Sequence, residues 1–313
     1  PVTVTPEKPG GSSFRVHNRQ WFSSLANLAG TWELTVDGKP FAKGRLPRLK
    51  TPPRSTETIR LRLPQPALRH GEECHLTFRF TLARATAWAD RGFPMAWDQL
   101  AMPLRSVALR RPPRPTDLEL LRQPGEICVL APEFACRMAG ASGQLASLRD
   151  QRREVALTGP EPQLWRGATD NDGIRNFPPN NYHVLWKWLQ AGYHERRFEP
   201  VRETAVRRTA AGAIEFITDY RLSGKDAPPV RCRQRLTLCG DGWLRAETRF
   251  EVARNATELP RLGVGFVLPP GFERMTWFGR GPHESYPDRM IGAAVGRYSD
   301  TVSNRYVPYV VPQ

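Results

Sequence analysis

The chain has 313 residues, 40% of them hydrophobic with 9 Trp and 14 Phe, enough for about two packed domains at the usual ~100–200 residues each. Lys and Arg number 46 against 31 Asp and Glu, a formal charge of +15, and only six of the cations are lysines, which leaves 40 arginines. No run of 18 apolar residues occurs and Pro1 to Gly11 lacks an apolar h-region, so neither a helical membrane span nor a secretory leader is expected.

The arginines are scattered between apolar residues, as in Arg60-Leu-Arg-Leu and Arg231-Cys-Arg-Gln-Arg. Without a dense tract or a nucleic-acid motif, they predict the solvent face of alternating strands and no nucleic-acid partner. Five cysteines (Cys74, Cys128, Cys136, Cys232, Cys239) form no C-x-x-C pair. Their odd number and loose spacing predict free, mostly buried thiols in a reducing compartment. Thirty Pro and 25 Gly cut the chain into short segments, which suits turn-rich β structure.

Residues 1–12 are rich in Pro, Gly and Ser and read as a linker from an upstream domain. From 13 to 112 short strands follow. Trp32, Leu34 and Val36 alternate on one face, Asp37-Gly38 then turns the chain as in a hairpin, and Leu76, Phe78, Phe80 and Leu82 alternate equally well. Several such strands with turn signals between them predict an immunoglobulin-like β-sandwich. Trp88 and Trp97 could stack on a sugar, but as lone aromatics near strand ends they are expected in the core. Consecutive prolines in Arg111-Pro-Pro-Arg-Pro115 cannot continue a ladder and place the boundary there.

A second β domain is expected over 113–313. Its strands include 213–217, 230–238 and 243–252, the last two joined across Cys239-Gly-Asp-Gly242. One helix is predicted from Asn181 to Ala191, with Val184, Leu185, Trp188 and Leu189 on its inner face and Gly192 ending it. Before the helix, Asp170-Asn171-Asp172-Gly173 opens a polar loop. It reads equally as an Asx-rich turn capping its own backbone. A cation site shared by Asp170, Asp172 and Glu284 is not expected, because the twelfth-position Glu and flanking helices of an EF-hand are absent.

Titratable groups gather most densely after Trp277-Phe278. Gly279, Gly281 and Pro282 predict a sharp bend, followed at once by His283, Glu284, Tyr286, Asp288 and Arg289. Polar groups on a rigid turn make either a site or a salt-bridged corner. His283 and Glu284 could form an acid/base pair only if the Pro282 turn breaks strand alternation.

The run Trp277 to Arg289 resembles the C-terminal region of the large β-galactosidases of glycoside hydrolase family 2. Three further stretches agree in order and rough spacing: Trp165 to Gly173, Ala85 to Ala89 with Ala96-Trp-Asp-Gln99, and Asn304 to Gln313. The resemblance implies an all-β chain: an immunoglobulin-like β-sandwich, then a galactose-mutarotase-like β-supersandwich, incomplete at its C-terminus. It implies a cytoplasmic fragment of a homo-oligomeric enzyme that hydrolyses terminal β-D-galactosides such as lactose, without the barrel that carries both catalytic glutamates and most Mg and Na ligands. Glycoside hydrolysis needs two carboxyl groups flanking the bond, so no catalytic residue and no cofactor or metal is expected in this chain.

Asp170, Asn171, Asp172, Gly173, Arg280, His283, Glu284, Tyr286 and Asp288 would border the sugar pocket, with Gly173 the hinge of a mobile loop. The family more often has one residue between the second Asp and the Gly, and here there is none. Because a stiffened loop changes closure while the sandwich core is untouched, a β-branched residue at 173 in the full-length parent is expected to alter turnover more than folding. A free-standing carbohydrate-binding module and a subunit of a two-chain β-galactosidase are the alternatives.

Overall fold

The computed structural model describes residues 1–305 except His70, 104–105, 108–117, Arg152, 175–182, 224–229, Asp241, Asn255, Thr257, Glu284 and 287–288, with backbone alone for 106–107. It divides into two compact units, one of residues 1–110 with 274–305 and one spanning 111–273. Both are built almost wholly of strands. The proline-rich boundary at 111–115 lies outside the described residues.

The first unit runs β1 (Val2–Pro6), β2 (Ser13–Asn18), β3 (Leu28–Val36), β4 (Lys39–Arg45), β5 (Thr56–Arg60), β6 (Leu68–Arg69), β7 (Cys74–Leu82), β8 (Pro94–Ala101) and β9 (Ser106–Val107). Its main sheets have the orders β1-β2-β5 and β4-β3-β7-β8, with β6 and β9 a short parallel pair. The alternation in β7 places Leu76, Phe78 and Phe80 fully inside, where Phe14 of the other sheet meets Phe78 edge-on at 5.2 Å. The Val4 N–H donates to Asp98 Oδ2 at 2.8 Å, a second tie between the sheets. Asp37 and Gly38 both have positive φ (46° and 70°), as a two-residue turn between right-twisted strands requires.

Residues 1–12 are not a linker. Val2 and Val4 are buried and β1 pairs in register with β2, Val4 opposite Val16. The period-two pattern of Val2-Thr-Val-Thr outweighs the Pro/Gly/Ser content around it. Trp88 and Trp97 are not core either: Trp88 is 63% exposed and Trp97 37%. Trp97 stands opposite Arg79 on β7, the residue between the inward Phe78 and Phe80, so register turns it outward.

His75 is buried, with no hydrogen-bond partner at Nδ1. Burial pushes its pKa below the ordinary range, Glu73 acts against this and Arg280 adds to it. The folded state therefore favours the neutral ring, while the unfolded chain takes a proton near pH 6.5. Stability present above that pH is lost as pH falls through it. We expect His75→Gln to lose less stability than the unmodified chain between pH 7 and pH 5, read from denaturation midpoints; equal losses would remove His75 from the account.

The second unit contains β10 (Glu119–Gln123), β11 (Glu126–Leu130), β12 (Phe134–Ala139), β13 (Leu145–Asp150), β14 (Glu154–Ala156), β15 (Thr158–Gln163), helix α1 (Val184–Gln190), β16 (Phe198–Pro200), β17 (Ala205–Arg208), β18 (Ile214–Leu222), β19 (Val230–Leu238), β20 (Leu244–Val252) and β21 (Gly263–Val267). One sheet has the order β10-β11-β12-β13-β15-β21 with β14 beside β13, the other β16-β18-β19-β20 with β17 beside β18. Val129, Cys136, Met138 and Leu145 of the first meet Ile214, Phe216, Leu236 and Leu238 of the second in one core. This is a β-sandwich.

In β19 the even residues from Val230 to Leu238 are buried while Arg231, Arg233 and Arg235 face solvent, the arrangement the sequence predicts. Arg233 and Arg202 both pair with Asp219, and Arg207 pairs with Glu215. Val264, Phe266, Val267 and Leu268 at the β21 edge are exposed. All five cysteines are free, and four are buried. Among the described residues no helix is long and apolar enough to cross a membrane.

The chain then forms a hairpin, β22 (Arg274–Gly281) and β23 (Ala294–Thr301), and a short helix α2 (Val302–Arg305). The sequence assigns this hairpin to the second domain, yet it packs in the first unit. Gln99 of β8 clamps the Val295 backbone, donating from Nε2 to its O at 2.8 Å and accepting from its N at 2.7 Å. Phe278 meets His75 edge-on at 6.4 Å. The expected bend also begins later, since β22 pairs through Gly281. Gly281 serves packing here: a Cβ would lie 2.7 Å from Tyr298 Cδ2, whose ring stacks on Trp277 at 5.4 Å.

Candidate functional site

The Asp170–Gly173 segment is a single 3-10 turn that follows β15. Asp170 and Asn171 are exposed, Asp172 and Gly173 buried. Asp172 accepts from both ends of the Arg166 guanidinium, at 2.6 Å from Nη1 and 2.9 Å from Nη2. It also accepts from the Thr169 N–H at 2.8 Å and the Thr169 hydroxyl at 3.0 Å. Burial raises its pKa, but these bonds and the guanidinium charge outweigh that and hold the carboxyl below the ordinary range. Asp172 is thus a saturated carboxylate, unsuited to take up a proton near neutral pH.

Arg166 itself is fixed on every side. It donates from Nε to Pro260 O at 3.0 Å and from Nη1 to Gly167 O at 2.9 Å, and lies over the Trp188 ring at 4.9 Å. Trp188 is buried in α1 and donates to Glu258 O at 2.8 Å, with Trp165 edge-on to it at 6.1 Å. Arg166 stands inside the Trp165 to Gly173 run, but its role escapes the sequence, because a spacing of six residues matches neither the helical nor the strand period.

The helix is shorter at its start than predicted; 181–182 lie outside the described residues. Val184 and Leu185 pack inward with Trp188, but Leu189 is 38% exposed. Two turns of helix present a narrower stripe than the predicted span. Gly192 takes φ 66°, ending the helix as expected.

Gly173 has φ 103° and ψ 20°, and a Cβ there would lie 2.6 Å from His183 Cγ. A side chain at 173 is thereby excluded for packing reasons, so a β-branched residue there is expected to lower stability in addition to any effect on turnover. Gly173→Val should destabilise by at least about 1–2 kcal/mol, the usual penalty of a left-handed non-glycine residue. That corresponds to a fall of roughly 2–8 °C in a thermal melt, and an unchanged melting temperature would contradict it. The loop from 175 to 180 lies outside the described residues.

The second group of candidates belongs to the first unit. Arg280 is exposed and donates from Nη1 to Met290 O at 3.2 Å and Ala293 O at 2.9 Å. It closes the turn after β22. His283 is exposed and Tyr286 half-buried, with the Tyr286 carbonyl accepting from Arg289 N at 2.8 Å. Glu284 and Asp288 lie outside the described residues, so neither the His283–Glu284 pair nor a cation site using Glu284 has a described geometry. Among the described residues no three His, Cys, Asp or Glu side chains come together, and both Asp172 oxygens are engaged.

Residues 131–313 match the family model described as β-galactosidase small chain, and residues 14–103 match the one described as β-galactosidase domain 4. A β-galactosidase of Priestia megaterium (strain DSM 319 / IMG 1521) is 26% identical over 315 residues, an alignment covering 100% of this chain and 29% of that protein. The chain thus spans less than a third of the length of this curated relative.

Proposed function

The chain belongs to the β-galactosidase family, and from that premise we propose that it is the C-terminal, non-catalytic part of an enzyme hydrolysing terminal β-D-galactosides such as lactose. The observation that carries this is the order of the two matched regions, domain 4 and then small chain, along one polypeptide. In this reading the chain supports assembly of a homo-oligomeric, cytoplasmic enzyme and borders its sugar pocket. Both catalytic glutamates, and most of the residues holding Mg and Na, belong to the rest of the enzyme.

In the second unit Asp170, Asn171 and Gly173 are the candidates for the pocket border, and in the first unit Arg280, His283, Glu284, Tyr286 and Asp288 are. Asp172 would act through Arg166, holding the turn in shape. Support for this division comes from exposure: Asp170, Asn171, Arg280 and His283 are exposed, while Asp172 is consumed internally.

The test is turnover of a chromogenic β-galactoside. The chain alone, purified to homogeneity, should give none above the blank, and the parent enzyme lacking these residues should lose activity. Hydrolysis by the isolated chain would overturn the accessory role. Full activity of the shortened parent would show that the chain is a separate binding module.

A further inference from the structure

Beyond the reading above, the first unit carries a basic groove that no part of that reading uses. It has a volume of about 640 Å³ and lies between the start of β3, the end of β4 with the residues after it, and the end of β7. Its floor is the buried side chains of Leu28, Leu46 and Leu82. Arg45, Arg48 and Arg84 line it and are exposed. No residue lining it is acidic. Among the described residues no hydrogen bond or ion pair engages these three guanidiniums, whereas Arg207 is held by Glu215 and Arg233 by Asp219.

We infer that this groove docks an acidic polypeptide segment of a partner protein, one that alternates Asp or Glu with aliphatic residues. Three guanidiniums supply fork-shaped donors for carboxylates, and the leucine floor takes aliphatic side chains. A nucleic acid would satisfy the charge but make no use of the apolar lining, which includes Ala29, Pro47 and Ala83. The groove also adjoins β4, the edge strand of its sheet. Backbone groups on the outer side of such a strand accept an added extended segment, so main-chain bonds would reinforce the charge contacts.

The experiment titrates the full chain with a short fluorescein-labelled peptide of alternating Glu and Val, reading anisotropy. Saturable binding is expected, weakening as salt rises. Each of Arg45→Ala, Arg48→Ala and Arg84→Ala should weaken it about fivefold, the upper range for exposed ion pairs, and the three together on the order of 100-fold if the sites add. Arg221→Glu, on the solvent face of the second unit, should leave it unchanged.

Lack of saturable binding by the unmodified chain, or equal binding by the triple variant, overturns the proposal. So does equal affinity for a matching Lys-Val peptide, or for an oligodeoxythymidylate of the same charge. Should the triple variant fail to fold, amide exchange on the unmodified chain decides the matter. Peptide-dependent protection at residues 24–30, 45–48 and 82–86 supports the groove, and protection elsewhere only refutes it.

Discussion

Asp172→Ala should lower the stability of the second unit by about 3–5 kcal/mol, the usual effect of removing one partner from a buried ion pair. The Asp172 side chain is 9% exposed and that of Arg166 18%. Removing the carboxylate takes the Asp172 charge away from a guanidinium that lies over Trp188, and also orphans the Thr169 N–H and hydroxyl. The pH profile gives a second readout. The Asp172 pKa is lowered in the fold, so its contribution is present above the unfolded carboxylate value of ~3.9 and is lost as pH falls through the lower folded value. The variant should therefore lose less stability in acid than the unmodified chain does. A loss below about 1 kcal/mol near neutral pH would mark the pair as a surface-type contact, and the turn would then owe its shape to the backbone alone.

Phe78→Ala should lower the stability of the first unit by about 3–5 kcal/mol, the range for removing a buried Phe. Phe78 is fully buried on β7, where Phe14 of the facing sheet packs edge-on to it. The vacated space lies between two sheets whose strands are held by ladders on both sides, so collapse can recover little of the lost contact. The denaturant midpoint of the first unit should fall with an unchanged slope. A shallow fall, near that of a surface substitution, would mean that the two sheets do not share the core described here.

These two residues differ in how readable they are. Phe78 is visible in the sequence, since Leu76-Thr-Phe-Arg-Phe-Thr-Leu82 alternates with the period of a half-buried strand and nothing competes with that period. The same holds for β19, whose arginines had to face water once Val230, Cys232, Gln234, Leu236 and Leu238 turned inward. Asp37-Gly38 was equally legible, because few residue pairs tolerate two positive φ values in succession. The candidate turn was legible only as composition. That Asp170 and Asn171 would be exposed while Asp172 was consumed depends on Arg166, and no local period relates those positions.

What the sequence determined by itself is the set of strands, their inward faces and the tight turns, because each follows from interactions within a few residues. Tertiary structure alone decided which sheet a strand joined and what filled its outer face. Val2 and Val4 became a strand because β2 offered them a ladder and a core. Trp97 faced outward because β7 fixed its register. The hairpin of β22 and β23 joined the first unit because the Gln99 amide reaches the Val295 backbone, a contact between residues 196 positions apart. Side-chain patterns record which face is apolar, but every apolar face is chemically alike, so its partner is selected by shape and by polar groups that meet only after the chain has folded.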